Sequence, residues 1–211
     1  MLLLEKVLAR GKDLAVLDLG FGTGLFAQRV RPACRYLAGV ELDPEAAKEG
    51  APFFDESVTG DLVGAVSRPW KEPFDVIVAG DVLEHLPRPE VLLGFLRRLL
   101  KPDGVLLLSL PNVANVTVRL GLLAGRFDYA SRGILDETHL RFFTRRTGRA
   151  LLESAGYRVV RVEATAMPVE LALPALGRPP LAPLARGGAL LSARLWPTLF
   201  GYQFVFEAVP A

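Results

Sequence analysis

Short apolar runs alternate with amphipathic segments over the first half of the chain. The five predicted strands are at 16–19, 36–40, 53–58, 74–79 and 105–110. Runs of this length are typical of parallel strands that are buried on both faces. Because helix-like segments separate them, the pattern predicts an α/β fold in which strands and helices alternate.

Helix signals stand between these runs and after the last of them. Asp43-Pro44 offers a cap and an N1 proline for a helix that stops near Gly50, and Thr144 can cap a helix that ends before Gly156. The predicted helices are an N-terminal one, one directly after Gly24, and those at 44–50, 62–67, 90–100, 113–123 and 145–154.

The last quarter of the chain has a different pattern. Residues 157–164 and 202–209 alternate apolar and polar positions, which predicts two antiparallel strands at the edge of the sheet. We predict a single domain over 1–211, with a cover insertion at 112–144 and an apolar insertion at 165–200. A substrate lid or a homodimer contact is favoured for the apolar insertion over a membrane-surface patch, because a lysine-rich polar face is missing.

Composition limits the classes of function. A chain of 211 residues can bury the core of one α/β domain, and a net charge of +2 is too small to imply a nucleic-acid partner. Nine arginines and four acidic residues lie between Asn112 and Arg161. This local excess either faces an anionic substrate or, as we favour, forms a solvated surface. With Cys34 as the single cysteine and no apolar run long enough for a transmembrane segment, we predict a cytoplasmic protein.

A glycine turn follows the first run. Gly20, Gly22 and Gly24 permit positive φ and carry no Cβ, so a ligand can lie against the backbone. Asp18 is predicted to point into the same crevice, and Glu41 ends the second run, where a carboxylate can accept ribose hydroxyls. The spacing G-x-G-x-G lacks the third small residue of the dinucleotide fingerprint, which disfavours NAD.

Several segments resemble one family. VLDLGFGTG is similar to the first motif of class I S-adenosylmethionine-dependent methyltransferases, VELD to their ribose-binding motif, and FDVIVAGDVLEHL with KPDG and VLLLSLPN to their middle. THLRFFT ahead of LLESAGY resembles a subgroup that includes quinone-biosynthesis and small-RNA 2′-O-methylating enzymes. The resemblance implies a Rossmann-like three-layer sandwich with a seven-stranded, mostly parallel sheet of order 3-2-1-4-5-7-6, whose last strand is antiparallel.

The resemblance also implies a cofactor, S-adenosyl-L-methionine, and the residues around it. The glycines would lie beneath it, with Asp18 toward the methionine end, Glu41 on the ribose, Asp61 and Leu62 around the adenine, and Asp81 nearby. Asp61 has a second interpretation of equal weight, as the N-cap of the helix that follows.

A second stretch with chemistry follows the fourth run. Some members of the subgroup hold a divalent metal with an acid-x-x-Glu-His cluster and a distant histidine, which here would be Asp81, Glu84, His85 and His139. A general base without metal, at His85 or His139, is favoured over the metal. A purely structural role for the two histidines has the same weight as the base. The site prediction is therefore catalytic His85 and His139 with no metal.

The predicted function is methyl transfer from S-adenosylmethionine to a small-molecule acceptor, most readily to oxygen, with nitrogen as the other option. Two rival functions are an NAD-dependent oxidoreductase and a non-catalytic domain that binds the cofactor as a sensor or scaffold. RNA methylation is a minority interpretation because no aromatic-interleaved basic tract is present, and no nucleic-acid partner is expected.

Overall fold

A mixed seven-stranded sheet runs through the computed structural model, which describes residues 2–167 and 182–211. The strands are β1 Leu14–Leu19, β2 Cys34–Glu41, β3 Glu56–Thr59, β4 Phe74–Gly80, β5 Leu100–Pro111, β6 Tyr157–Ala166 and β7 Gly201–Pro210. Their order in the sheet is β3-β2-β1-β4-β5-β7-β6. This is the order that the resemblance implied, so the fold prediction is confirmed.

The direction of the strands decides where a site can form. The pairs among β1 to β5 are parallel, whereas β7 is antiparallel to both β5 and β6. In the β1–β4 pair, Leu19 is the partner of Ala79. The loops after these two strands therefore leave the same edge of the sheet side by side, which is the usual position of a ligand crevice in such sheets.

Helices cover both faces of the sheet. They are α1 Leu2–Leu8, α2 Leu25–Val30, α3 Pro44–Gly50, α4 Leu62–Val66, α5 Pro89–Leu99, α6 Val116–Leu123, α7 Arg145–Ser154, α8 Ala182–Leu195 and α9 Pro197–Phe200. Successive residues of a strand point to opposite faces, so Leu17 and Leu19 enter one apolar cluster and Val16 enters the other. These two layers around the sheet make the predicted three-layer sandwich.

The cover insertion begins with two buried asparagines. The side-chain amides of Asn112 and Asn115 both donate to the carbonyl of Gly201, at 2.8 and 2.9 Å. Asn115 also accepts from the N–H of Thr117 and caps α6. The helix therefore begins at Val116, three residues later than predicted, because Val113 and the residues after it form the turn that ties the insertion to β7.

The third strand begins later than predicted as well. Ala51–Phe53 form a 3-10 turn, and the strand runs over Glu56–Thr59. Phe54 lies between these two elements, where its ring packs against Phe21 of the glycine turn with 4.4 Å between centroids. The segment 53–58, predicted as one strand, thus combines residues that support the turn with residues of the strand.

The apolar insertion falls partly outside the described residues, at 168–181. Its described part includes α8, where Leu184 and Leu195 are each 77% exposed. Among the helices in the described ranges, none is both long and apolar enough to span a bilayer. The lid or homodimer role of 165–200 stays a prediction.

Candidate active site

Three glycines in the left-handed region form the turn after β1, with φ of 69° at Gly20, 54° at Gly22 and 80° at Gly24. A Cβ on Gly24 would lie 2.7 Å from Phe53 Cδ2 and 3.0 Å from the Cα of Gly50. A Cβ on Gly22 would meet no atom within 4 Å. The turn is thus packed tightly at Gly24 and open along its backbone at Gly22, which leaves room for a ligand there.

Asp18 supplies a buried acid next to this turn. It is 4% exposed, and its Oδ2 atom has no hydrogen-bond partner among the described residues. Burial and, second, the charge of Glu41 raise the pKa of Asp18 to about 8. A buried carboxylate without a partner costs free energy, and a ligand that brings a positive charge or N–H donors would offset that cost.

Glu41 stands where β2 ends, as predicted, and its carboxylate is held by backbone groups. Oε2 accepts from the N–H of Gly22 at 2.7 Å, and Oε1 accepts from Leu42 and Asp43 at 2.8 and 2.9 Å. A carboxylate has about four acceptor positions, so these bonds leave about one for a ligand hydroxyl. The bond to Gly22 also fixes the acid beside the glycine turn.

Asp61 and Leu62 lie after β3 on the same edge of the sheet. The Oδ2 atom of Asp61 accepts from the N–H of Gly64 at 2.8 Å and caps α4, which begins at Leu62. This is the capping role that the sequence offered as one of two interpretations. The place of Asp61 and Leu62 beside an adenine stays a prediction.

Asp81, after β4, has an uncommon backbone conformation, and both of its carboxylate oxygens have hydrogen-bond partners. Its φ is 54°, in the left-handed region that non-glycine residues rarely adopt. Ser109 Oγ donates to Oδ1 at 2.8 Å, and Gln203 Nε2 lies 2.8 and 2.9 Å from the two carboxylate oxygens. Asp81 is therefore fixed by β5 and β7, and it lies in a three-strand junction rather than on one face of a helix with Glu84 and His85.

Glu84 is the most deeply buried acid of this loop. It is 0% exposed, and neither carboxylate oxygen has a hydrogen-bond partner among the described residues. Burial, followed by the charges of Asp81 and Asp136, raises the pKa of Glu84 to about 8. The carbonyl of Glu84 accepts from the N–H groups of Leu140 and Arg141, at 2.9 and 3.0 Å, so the cover insertion is tied directly to this residue.

The two histidines meet across the same space. The rings of His85 and His139 have centroids 4.8 Å apart. His139 Nδ1 lies 3.2 Å from the carbonyl of Ile134, and His85 Nδ1 lies 3.3 Å from the carbonyl of Thr138. A carbonyl only accepts, so we assign the proton of each ring to Nδ1, which leaves Nε2 with a lone pair.

The hydrogen bonds of Thr138 agree with this assignment. Its hydroxyl donates to Asp136 Oδ1 at 2.5 Å and can therefore accept from His85 Nδ1, 3.1 Å away. Burial lowers the pKa of His139, which favours its neutral form at pH 7. His139 is thus held with its Nε2 nitrogen unprotonated and available.

Ligand atoms of Glu84, His85 and His139 all lie within 4.8 Å of one another. They line a cavity of about 300 Å³ that also includes Asp81 and Asp136, and we call it the site cavity. Two imidazole nitrogens and a carboxylate suit a divalent transition metal, and the unpartnered oxygens of Glu84 fit such a cation. The same nitrogens could accept a proton from a hydroxyl group.

Several residues around the site carry no sequence signal. Ser109 and Gln203 lie in strands whose patterns predict only burial or an edge position, yet they hold Asp81. Asp136 holds the hydroxyl of Thr138, and Thr138, the first residue of the THLRFFT segment, contacts His85. Only proximity along the chain, as between Thr138 and His139, could have pointed to them.

Comparison with known proteins gives one family. A family model described as "Methyltransferase domain" matches residues 2–162. The ubiquinone biosynthesis O-methyltransferase of Actinobacillus pleuropneumoniae serotype 7 (strain AP76) is 32% identical over 106 residues, which are 46% of this chain and 45% of that protein. That of Xanthomonas oryzae pv. oryzae (strain PXO99A) is 31% identical over 129 residues, 59% and 53% of the two chains. The chain spans about half the length of these curated relatives.

Solved structures share the fold. An S-adenosylmethionine-dependent methyltransferase from Archaeoglobus fulgidus superposes with a TM-score of 0.69 at 20% identity, covering 98% of this chain and 90% of that one. Magnesium protoporphyrin IX methyltransferase from Synechocystis PCC 6803, with bound S-adenosylhomocysteine, gives a TM-score of 0.65 at 18% identity and covers 99% and 80% of the two chains. At these identities the likeness establishes the fold.

Proposed function

Because the chain belongs to the methyltransferase domain family, we propose that it binds S-adenosylmethionine and transfers the methyl group to an oxygen atom of a small-molecule acceptor. The family membership agrees with the predicted enzyme class and cofactor and weighs against an NAD-dependent oxidoreductase or a scaffold. Oxygen as the acceptor atom is supported by the O-methyltransferases among the relatives.

One observation carries the proposal: the glycine turn follows β1, and Glu84 and His85 follow β4, which is paired in parallel with β1. His139 joins these two residues from the cover insertion. The loops after these strands therefore open at the same sheet edge. A methyl donor over Gly22 and an acceptor in the site cavity would then be neighbours, as in-line transfer requires. Asp18, with its unpartnered oxygen, would receive the positively charged end of the donor.

S-adenosylmethionine, when bound, supplies a methyl group that is already activated on a positively charged sulfur. The protein is left to align two groups, to exclude water and to accept the proton that a hydroxyl acceptor loses. The predicted bases His85 and His139 suit the last task, since each holds its Nδ1 proton on a backbone carbonyl. His139 is the better candidate because burial keeps it neutral.

A divalent cation is the second candidate for the same step, and Glu84 favours it. A carboxylate buried with both oxygens unpartnered is costly, and its ligand atom lies within 4.8 Å of those of the two histidines. Glu84, His85 and His139 would hold the cation, which would lower the pKa of an acceptor hydroxyl. Cation binding would then replace the need for a free histidine base.

The test is release of S-adenosylhomocysteine from S-adenosylmethionine with a panel of phenols and catechols. Wild type, His139→Asn, Glu84→Gln and the exposed control Glu137→Gln are assayed after dialysis against a chelator and after return of Mg²⁺, Mn²⁺ or Zn²⁺. We expect His139→Asn to lower the rate on the order of a hundredfold and Glu137→Gln to leave it unchanged.

The chelator separates the two chemistries. Full wild-type activity in chelator identifies the histidine base, whereas loss that is restored by a cation in wild type but not in Glu84→Gln identifies the metal. Equal activity of His139→Asn and wild type would contradict both the histidine base and the metal. Absence of both turnover and S-adenosylmethionine binding in wild type would contradict the proposed function.

A further inference from the structure

The loop after β4 packs directly on the glycine turn after β1. A Cβ on Gly20 would lie 3.0 Å from Val82 Cγ2, so the side chain of Val82 lies close against the turn. Val82 is 6% exposed and follows Asp81 in the chain. A shift of Asp81 would therefore change how Val82 packs against Gly20 and alter the crevice beside the turn.

The backbone of Asp81 depends on contacts from other strands. Its φ of 54° lies in the left-handed region, where a residue with a Cβ stays only if its surroundings fix it. Ser109 in β5 supplies the first contact, because its hydroxyl accepts from the Asp81 N–H at 3.0 Å and donates to Asp81 Oδ1 at 2.8 Å. One hydroxyl thus binds both the backbone and the side chain of Asp81.

The second contact reaches across β5. Gln203 in β7 pairs with Pro111 at the end of β5, and β4 lies on the other side of β5. From β7 the Nε2 atom of Gln203 lies 2.8 and 2.9 Å from the two carboxylate oxygens of Asp81. A carboxylate only accepts, so Gln203 presents the donor end of its amide to the loop.

The start of β7, from which this amide projects, is held by its neighbours. The N–H of Gln203 donates to Thr165 Oγ1 in β6 at 3.2 Å. The carbonyl of Tyr202 accepts from the N–H of Asn112 at 2.9 Å, and the carbonyl of Gly201 accepts from the Asn112 side chain at 2.8 Å. The amide of Gln203 therefore starts from a backbone with a defined position.

We infer that Gln203 is a positioning residue for methyl transfer: its amide fixes the loop after β4 through the Asp81 carboxylate, so that Val82 packs against the glycine turn on which the donor lies. The inference rests on the proposed function, to which it adds a residue from the antiparallel edge of the sheet. The contact needs one donor and one acceptor, in either order. An amide at position 81 and a carboxylate at position 203 should therefore position the loop equally well.

The test exchanges donor and acceptor and measures the binding of S-adenosylhomocysteine by calorimetric titration, which requires no acceptor. Gln203→Glu sets a second carboxylate against Asp81, and Gln203→Leu removes the amide. Asp81→Asn is made alone and in combination with each of these changes. The matched control is Gln28→Glu, at the exposed glutamine of α2, and denaturant unfolding checks that every variant folds.

We expect Gln203→Glu and Gln203→Leu each to weaken binding about tenfold, and Gln28→Glu to leave it unchanged. Asp81→Asn alone should bind as wild type does, since the Gln203 amide can turn and present its oxygen. Asp81→Asn should restore the affinity of Gln203→Glu, where a donor again faces an acceptor, but not that of Gln203→Leu.

Unchanged affinity in Gln203→Leu, even with reduced stability, would make the contact merely structural and overturn the inference. Weak binding by Asp81→Asn alone, or by its combination with Gln203→Glu, would overturn it as well, because the charge of Asp81 and not its position would then be required. Failure of the proposed function would show separately, as absence of S-adenosylhomocysteine binding in wild type.

Discussion

Asp18 and Glu84 are buried acids with unpartnered oxygens, and each stands at one of the two loops that the sheet brings together. Buried carboxylates of this kind lower the stability of the empty protein and are characteristic of sites that wait for a ligand. At the scale of single residues, the candidate site therefore lowers the free energy of unfolding of the ligand-free protein.

The stability of an Asp18→Asn variant should reveal this cost. The pKa of Asp18 is raised to about 8, so between pH 4 and pH 8 the unfolded chain ionises this group while the folded protein resists it. Wild type therefore loses stability as pH rises through this range. We expect Asp18→Asn to show no advantage over wild type at pH 4 and to gain up to about 1.4 kcal/mol of relative stability for each pH unit between pH 4 and pH 8.

Denaturant unfolding at several pH values measures the difference, with the exposed Asp103→Asn as a control that should show no such trend. The same variant should bind S-adenosylmethionine more weakly, because the carboxylate is lost. A constant difference between Asp18→Asn and wild type from pH 4 to pH 8 would mean that Asp18 is not held protonated.

The sequence allowed some of these residues to be predicted and not others. Asp18, Glu41, His85 and His139 were predicted because each belongs to a short segment with its own pattern. The contact between Asp81 and Gln203 could not be predicted, since the two residues are 122 positions apart and only the strand order brings them together. The link between Glu84 and the cover insertion could not be predicted either, because Leu140 and Arg141 bond to the Glu84 carbonyl from a segment without regular periodicity.

At the scale of elements, the glycine turn has two separate tasks. Gly24 lets the turn approach Phe53 and Gly50, while Gly22 leaves the backbone open toward the crevice. Both have positive φ, so substitution by alanine strains both backbones. The difference in unfolding free energy between Gly24→Ala and Gly22→Ala therefore measures the packing around Gly24. The affinity of Gly22→Ala for the ligand shows whether the ligand lies over Gly22.

We predict that Gly24→Ala costs about 3 kcal/mol of stability, because it adds a steric overlap to the backbone strain. Gly22→Ala should cost only about 1 kcal/mol, the strain alone, but should weaken S-adenosylmethionine binding. Denaturant unfolding and calorimetry test both statements. Equal stability costs would contradict the packing difference, and unchanged affinity in Gly22→Ala would place the ligand elsewhere.

At the scale of the whole molecule, the antiparallel hairpin of β6 and β7 completes the sheet and carries residues of the site. Its outer strand is anchored by Tyr157, which is 2% exposed and donates from its hydroxyl to the carbonyl of Leu93 in α5 at 2.9 Å. The alternating pattern predicted that β6 and β7 pair, whereas the place of β7 beside β5 came from the family resemblance.

Tyr157→Phe tests whether this anchor is purely structural. Loss of the buried hydrogen bond should lower the free energy of unfolding by about 1 kcal/mol. The matched change at the exposed Tyr129 should alter stability by less than about 0.5 kcal/mol. S-adenosylmethionine affinity should stay the same in both variants, and a loss of affinity in Tyr157→Phe would mean that the edge of the sheet and the crevice are coupled.

The central claim is that the crevice between β1 and β4 holds a methyl donor. Calorimetric titration of the purified protein with S-adenosylmethionine, S-adenosylhomocysteine and NAD tests it most directly. We predict micromolar binding of the first two, weakened in Gly22→Ala, and no binding of NAD. Binding of NAD alone, or of none of the three, would contradict the claim.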